Sequence, residues 1–284
     1  MTDNQQIQPA DGGAYKTSRP EGLEQAIWYE TPLLGREVPM LQPLAWEELM
    51  CRRVGSGHPP VVHIWRHTDG MTIGLRDRRL SNAVAAMEQI QQGGTSICVR
   101  PSGGAAVPLH PGILNLSIIL PNPKHRINIH EDFQFMADWI SQAVHPWSSE
   151  VDTGEVEGAF CPGDYDISIH GRKFCGIAQR RQAKAYIITA FVIVDGQGDE
   201  LADQIRQFYE RAAGPEDQGY PVVRRGTMGA LGELAGVPSV DAYQTELQRL
   251  LSDGQMPDLL DGSEVFGKEE LEQMVTYLHE RYDE

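Results

Sequence analysis

Apolar and polar residues alternate over two neighbouring stretches, Tyr165 to His170 and Lys173 to Gln179, and a period of two predicts a pair of β-strands. Gly171-Arg172 between them carries a turn signal, so the two read as a hairpin. Apolar runs of strand length broken by polar residues, Ile113 to Leu120 and Ala185 to Val194, predict strands. Val61 to Trp65, Met71 to Leu75 and Ser96 to Arg100 add shorter strands. Helical spacing runs over Leu44 to Val54, with Trp46, Leu49 and Met50 as its stripe, and over Glu131 to Val144, with Phe133, Phe135, Met136, Trp139 and Ile140. Ser81 to Gln91 reads as a helix capped by Ser81 or Asn82 and closed by Gly93-Gly94. After the turn Asp195-Gly-Gln-Gly the pattern is helical, with candidates at 200–213, 227–236, 239–252 and 268–282. Strands first and helices last predict an α+β domain over 23–284 with a helical C-terminal portion from about residue 215. Residues 1–22, polar and rich in Gly, Gln, Asp and Pro, predict a mobile arm, and Gly214 to Gly219 is the best linker candidate.

Composition narrows the class. A chain of 284 residues, 40% hydrophobic and 23% charged, is of ordinary globular make-up with ample material for a core. The apolar runs are too short to span a bilayer, and the N-terminus lacks the basic and apolar regions of a signal peptide, so a cytoplasmic protein is expected. A net charge of −16 argues against nucleic acid as a partner. Two local basic clusters stand out: Arg76, Arg78 and Arg79, and Arg172, Lys173, Arg180, Arg181 and Lys184. They read equally as docking patches for an acidic partner or as solvated strand edges. The four cysteines, 51, 98, 161 and 175, have no CxxC or zinc spacing, and His63 and His67 lack the glutamate of a zinc helix, so free thiols and no metal are expected.

The chemistry concentrates in Cys161-Pro-Gly-Asp-Tyr-Asp-Ile-Ser-Ile-His-Gly-Arg-Lys-Phe-Cys-Gly-Ile-Ala-Gln-Arg-Arg. Pro162 and Gly163 place Cys161 in a loop, and the hairpin can return Lys173 to its base. A cation there favours the thiolate, the nucleophilic form, and can assist proton movement. The plain alternative is an inert buried cysteine beside a surface lysine. Cys175 competes for the nucleophile's role, since strict alternation puts it on the face of Lys173; a small packing residue is the alternative. Asp164 and Asp166 would oppose a thiolate unless they face away or orient Lys173. A second stretch, Arg100-Pro-Ser-Gly-Gly-Ala-Ala-Val-Pro-Leu-His, follows a strand with adjacent glycines that let backbone amides approach a ligand, or simply turn tightly. His110 beyond it reads as a site contact or as a structural histidine. Cys51 and Cys98 read as core.

The run from Cys161 to Arg181 resembles the biotin/lipoate protein ligase and lipoyl-octanoyl transferase superfamily, most closely its octanoyl-[GcvH]:protein N-octanoyltransferases, and the likeness extends loosely over 64–209. The resemblance implies a mixed-sheet catalytic domain, with Cys161 as nucleophile and Lys173 as its partner. It implies that Arg100, Ser102, Gly103, Gly104, Ala105, His110 and Gly176 bind the acyl group. It also implies glycine cleavage H protein as octanoyl donor and the lipoyl domains of E2 subunits as acceptors, with a cysteine thioester between. Thr72-Ile-Gly-Leu-Arg-Asp77 is similar to the superfamily's strand at the pocket edge, or serves packing alone. Pro101, Ala105 and Pro111 depart from the ligase pattern of arginines, glycines and His-Asp, which weakens the case for ATP and leaves no cofactor expected. The alternatives are an octanoyl-acyl-carrier-protein transferase, an ATP-dependent lipoate ligase, a non-catalytic binding module and, behind these, a biotin ligase.

Overall fold

The computed structural model describes residues 19–123, 128–251 and 256–283, so most of the expected arm lies outside the described residues. In chain order the elements are β1 (Ile27–Glu30), α1 (Gln42–Gly55), β2 (Val61–Trp65), β3 (Gly70–Ile73), α2 (Ala83–Gln92), β4 (Ser96–Val99), β5 (Val107–Leu109), β6 (Ile113–Pro121) and α3 (Ile129–Val144). There follow β7 (Asp152–Thr153), β8 (Ile167–Ile169), β9 (Arg172–Arg181), β10 (Ala185–Ile193), α4 (Gly198–Ala212), α5 (Leu231–Ala235), α6 (Val240–Leu251), β11 (Leu259–Asp261) and α7 (Lys268–Leu278), with a π-helical turn at His279–Asp283.

Eight strands form one mixed sheet in the order β11-β1-β2-β6-β10-β9-β8-β7, and three more form a small sheet ordered β4-β3-β5. The long strands β6 and β10 are central because both faces are covered. On one face Leu114, Leu116, Ile118, Leu120, Ile188, Ala190 and Val192 pack with α3 residues Phe135, Met136, Trp139 and Ile140 and with Tyr243 and Leu247 of α6. On the other, Ile113, Ile119, Ala185, Ile187, Phe191 and Ile193 belong to a second core shared with α1, α2, α4 and the small sheet. Asn115, Ser117 and Thr189 fall on this second face, where the register pairs Phe191 with Asn115 and Thr189 with Ser117. Fully polar side chains inside a buried strand need partners. Ser117 donates to Thr189 at 3.1 Å and Asn115 donates to the Trp65 carbonyl at 3.4 Å. That polar break in an apolar sheet face marks where a slot opens.

The structure corrects several expectations. The hairpin turn is His170-Gly171, not Gly171-Arg172: both residues have positive φ, 52° and 71°, as a two-residue turn matched to strand twist requires. The C-terminal portion is not purely helical, because β11 pairs in parallel with β1 at the sheet edge while α6 packs on α3 and α7 on α1. Of the expected helix 227–236 only α5 forms. Gly214 to Gly219 is tied down, since the Asp217 carboxylate accepts from the Ser81 and Gly214 amides at 2.8 and 2.7 Å. Among the described residues no helix is long and apolar enough to cross a membrane.

Candidate active site

Cys161 sits in the loop before β8, only 8% exposed, with φ of 48°. That left-handed backbone is uncommon for a residue with a Cβ and costs energy unless its surroundings impose it. Lys173 imposes it. Its Nζ donates to the Phe160 carbonyl at 3.0 Å and the Cys161 carbonyl at 2.6 Å, and pairs with Asp166 Oδ1 at 2.8 Å. An ammonium has three protons, and all three are used. Lys173 is 0% exposed and Asp166 1%, so this is a buried ion pair that grips the loop backbone. Burial, outweighing the attraction of Lys173, pushes Asp166 up to about 6. Asp164 is exposed, as its turn position allows.

A β-bulge decides which residues of β9 face the site. Ile167 pairs with Cys175 but Ser168 pairs with Lys173, leaving Phe174 as the extra residue. Lys173 and Gly176 therefore share the site face: a Cβ on Gly176 would lie 3.2 Å from Lys173 Nζ and 2.6 Å from the Phe191 ring. Phe174 and Cys175 are turned into the core under α3 and α6. The alternation that put Cys175 beside Lys173 fails at this bulge. Burial pushes the thiols of Cys175 and Cys98 up and that of Cys51 up to about 12, so these three are packing residues.

The glycine-rich loop after β4 closes over the sulfur. The Ala105 amide donates to Cys161 Sγ at 3.2 Å, and the Arg100 guanidinium lies 3.8 Å from it. Arg100 also donates to the Ala105 carbonyl. Gly104 has φ of 104°, and a Cβ there would stand 2.9 Å from the sulfur, so glycine is required on both counts. The Ala106 amide donates to the Tyr209 hydroxyl at 3.2 Å, which donates to Asp77 at 3.0 Å; Asp77 accepts the Gly74 amide at 2.8 Å. Burial raises Asp77, and the motif Thr72 to Asp77 thus anchors the loop's far end.

Behind the sulfur a narrow slot is walled by Thr72, Arg100, Asn115, Gly176, Thr189 and Phe191. Four of these, Thr72, Arg100, Asn115 and Thr189, also wall its continuation toward Leu44, Trp65, Arg180 and Ile187. Outside, a wide mouth is lined by Arg76, Arg79, Ser102, Gly103, Gly104, Ala105, Pro162 and Tyr220. The structure thus brings Cys161, Lys173, Arg100, Gly104, Ala105 and Gly176 together, with Ser102 and Gly103 at the rim. His110 lies apart: its Nδ1 accepts the Gly112 amide at 3.1 Å, it packs on Gly196, and burial lowers its pKa. Sequence reasoning missed Asn115, Thr189, Phe191 and Tyr209, whereas Asp166 takes the alternative in which it pairs with Lys173. Polar residues inside otherwise apolar strands were the available signal for the first two.

The basic clusters also separate. Arg172 pairs with Glu233, Lys173 with Asp166, Arg180 with Glu48 and Arg181 with Asp132, so four of that cluster's five cations are matched by carboxylates. Arg78 donates to the Asp283 carbonyl at 2.9 Å, whereas Arg76 and Arg79 are exposed at the mouth with no carboxylate partner among the described residues. His63 is buried between Thr31 and Glu47, and no group of three or more His, Cys, Asp or Glu among the described residues is placed to hold a metal ion.

Residues 39–249 match the family model for the lipoyl protein ligase A/B catalytic domain. An octanoyl-[GcvH]:protein N-octanoyltransferase of Anoxybacillus flavithermus is 37% identical over 219 residues, covering 75% of this chain and 79% of that protein. A lipoyl-[GcvH]:protein N-lipoyltransferase of Listeria monocytogenes is 32% identical over 217 residues, 75% of this chain and 78% of its own. Among solved structures, the putative lipoate protein ligase Ta0514 of T. acidophilum with bound lipoic acid superposes with a TM-score of 0.63 at 20% identity, over 91% of this chain and 96% of that one, a likeness of fold.

Proposed function

The chain belongs to the lipoyl protein ligase A/B catalytic-domain family, and on that premise we propose that it is an amidotransferase moving an octanoyl group between protein lysines through a thioester on Cys161. The donor is the octanoyl-lysine of glycine cleavage H protein, and the acceptor is the lysine of an E2 lipoyl domain. The observation that carries this reading is the placement of Cys161 in the wall of the slot, with its Sγ under the amide of Ala105, a residue that also lines the mouth. An acyl chain lying in the slot presents its carbonyl carbon to the sulfur.

The thiolate attacks that carbon. The S–C bond forms, the C–N bond breaks, and the departing lysine amine takes up the proton that the thiol gave. The acceptor's neutral amine then attacks the thioester carbonyl, the C–S bond breaks, and the amine's proton returns to the sulfur. Amide is exchanged for amide, so the sum is nearly isoenergetic and calls for no nucleotide. The Ala105 N–H and the Arg100 guanidinium point at the sulfur as donors and hold it in place at the head of the slot. Lys173 holds the Cys161 backbone in its left-handed turn and keeps positive charge behind the nucleophile. Slot walls shield the alkyl chain, at roughly 0.8 kcal/mol per buried methylene.

Intact mass spectrometry after mixing with octanoylated H protein, without ATP, tests the reading. It expects a hydroxylamine-labile adduct of octanoyl mass that is missing in Cys161→Ser. An adduct arising from octanoyl-acyl carrier protein and never from H protein keeps the thioester and replaces the donor. No adduct from either donor refutes the cysteine mechanism. The Listeria relative's name makes lipoylated H protein the natural second donor to offer.

A further inference from the structure

The glycine-rich loop is gripped from the side opposite the nucleophile by the π-helical turn that follows α7. We propose that Tyr282 and Asp283 are positioning residues for this loop, and hence for the Arg100 and Ala105 groups that meet Cys161. The proposal rests on the transferase reading above.

Three polar contacts converge on the short stretch 99–101. β4 is the outer strand of the small sheet, so its outward amides have no strand to bond. Asp283 Oδ1 takes one of them, accepting from the Val99 amide at 2.6 Å. The next residue faces the other way: the Arg100 amide donates to the Ile73 carbonyl of β3 at 2.9 Å, and its side chain turns in to Cys161 Sγ and the Ala105 carbonyl. One residue on, the Pro101 carbonyl accepts from Arg180 at 2.9 Å, and the same guanidinium nitrogen donates to the Tyr282 hydroxyl at 3.1 Å. Arg180 is itself fixed by Glu48 of α1 at 2.7 Å, with its guanidinium carbon 5.8 Å from the Tyr282 ring centre. Arg78 closes the arrangement by donating to the Asp283 carbonyl.

Arg100 is therefore clamped on both flanks, through Val99 by Asp283 and through Pro101 by Arg180 and Tyr282. A turn that merely covered the core would do so with apolar contacts. Here the polar groups are spent on the backbone atoms that set where Arg100 and the loop begin. Neither Tyr282 nor Asp283 lines the slot wall beside the sulfur. Their effect on chemistry passes through the loop, and displacements of about 1 Å in a positioned group can cost up to a hundredfold in rate.

The test compares wild type with the double variant Tyr282→Phe/Asp283→Ala, which removes the hydroxyl and the acceptor of the Val99 amide, read in two ways. Single-turnover acylation of Cys161 by octanoylated H protein is expected to slow about tenfold at saturating donor, with the donor concentration for half-maximal rate changed less than about twofold. Amide exchange by mass spectrometry is expected to speed up over 99–106 and nowhere in β6 or β10. Exchange needs no substrate, so a wild type that fails to acylate refutes the transferase reading while the clamp is still judged. If the double variant does not fold, Tyr282→Phe alone, which keeps the ring and removes only the hydroxyl, is read the same way. Unchanged acylation with unchanged exchange over 99–106 overturns the proposal. So does a uniform loss of protection across the sheet, which would mark the turn as packing only.

Discussion

Replacing Asp166 by Asn tests the claim that a buried ion pair holds the nucleophile's loop. The substitution keeps size and one acceptor oxygen but leaves the Lys173 ammonium, 0% exposed, without its counter-charge. Breaking a buried pair by removing one partner costs about 3–5 kcal/mol. Two carbonyls, of Phe160 and Cys161, still accept from the ammonium, and the Asn oxygen can replace the bond at 2.8 Å. The expected loss is therefore smaller, about 2–3 kcal/mol, or roughly 5–10 °C in melting temperature for a chain of this size. The companion double variant Asp166→Asn/Lys173→Met removes both charges. Because apolar replacement of a buried pair is commonly neutral or stabilising, it should melt above the single variant. Its acylation should be lost, unlike that of the single variant, since with Lys173 gone nothing binds the carbonyls of residues 160 and 161. Melting followed by circular dichroism, together with acylation of Cys161 followed by intact mass, measures both. Asp166→Asn melting within about 2 °C of wild type, or wild-type acylation in the double variant, refutes the reasoning.

The acid limb of acylation should fall near pH 6, where Asp166 protonates and releases Lys173; the limb should vanish from the pH–rate profile of Asp166→Asn. Gly104→Ala forces a Cβ to 2.9 Å from the sulfur at φ of 104° and should cut single-turnover acylation by at least about a hundredfold. Arg76→Glu/Arg79→Glu should lower kcat/KM for a carrier protein by about tenfold at low salt, with the gap closing at high salt and a short octanoyl-lysine peptide unaffected; equal losses with the peptide would refute a docking role.

The loop cysteine, its spacing to Lys173, the glycine-rich turn and the two long apolar strands were all legible in the sequence, because each depends on local rules: turn chemistry, period and run length. So was the family, whose motif lies in one continuous segment. β1 and β11 were not, since strands of 4 and 3 residues carry too little periodicity and form because β1 pairs in parallel with β2 and β11 with β1 at the edge of the sheet. The face of Cys175 was misread because one extra residue at Phe174 inverts alternation, and the partner strand alone reveals that. His110 stood near the loop in sequence yet packs on Gly112 and Gly196, away from the sulfur. By itself the sequence determined which groups can do chemistry: a thiol in a loop, a lysine a hairpin away, and glycines where amides can come close. The tertiary structure decided what those groups do to one another. Burial turned Lys173 and Asp166 into an ion pair that grips the backbone, and packing laid Ala105 and Arg100 on the sulfur, because desolvated charges and close-packed amides take their partners from space and not from order along the chain.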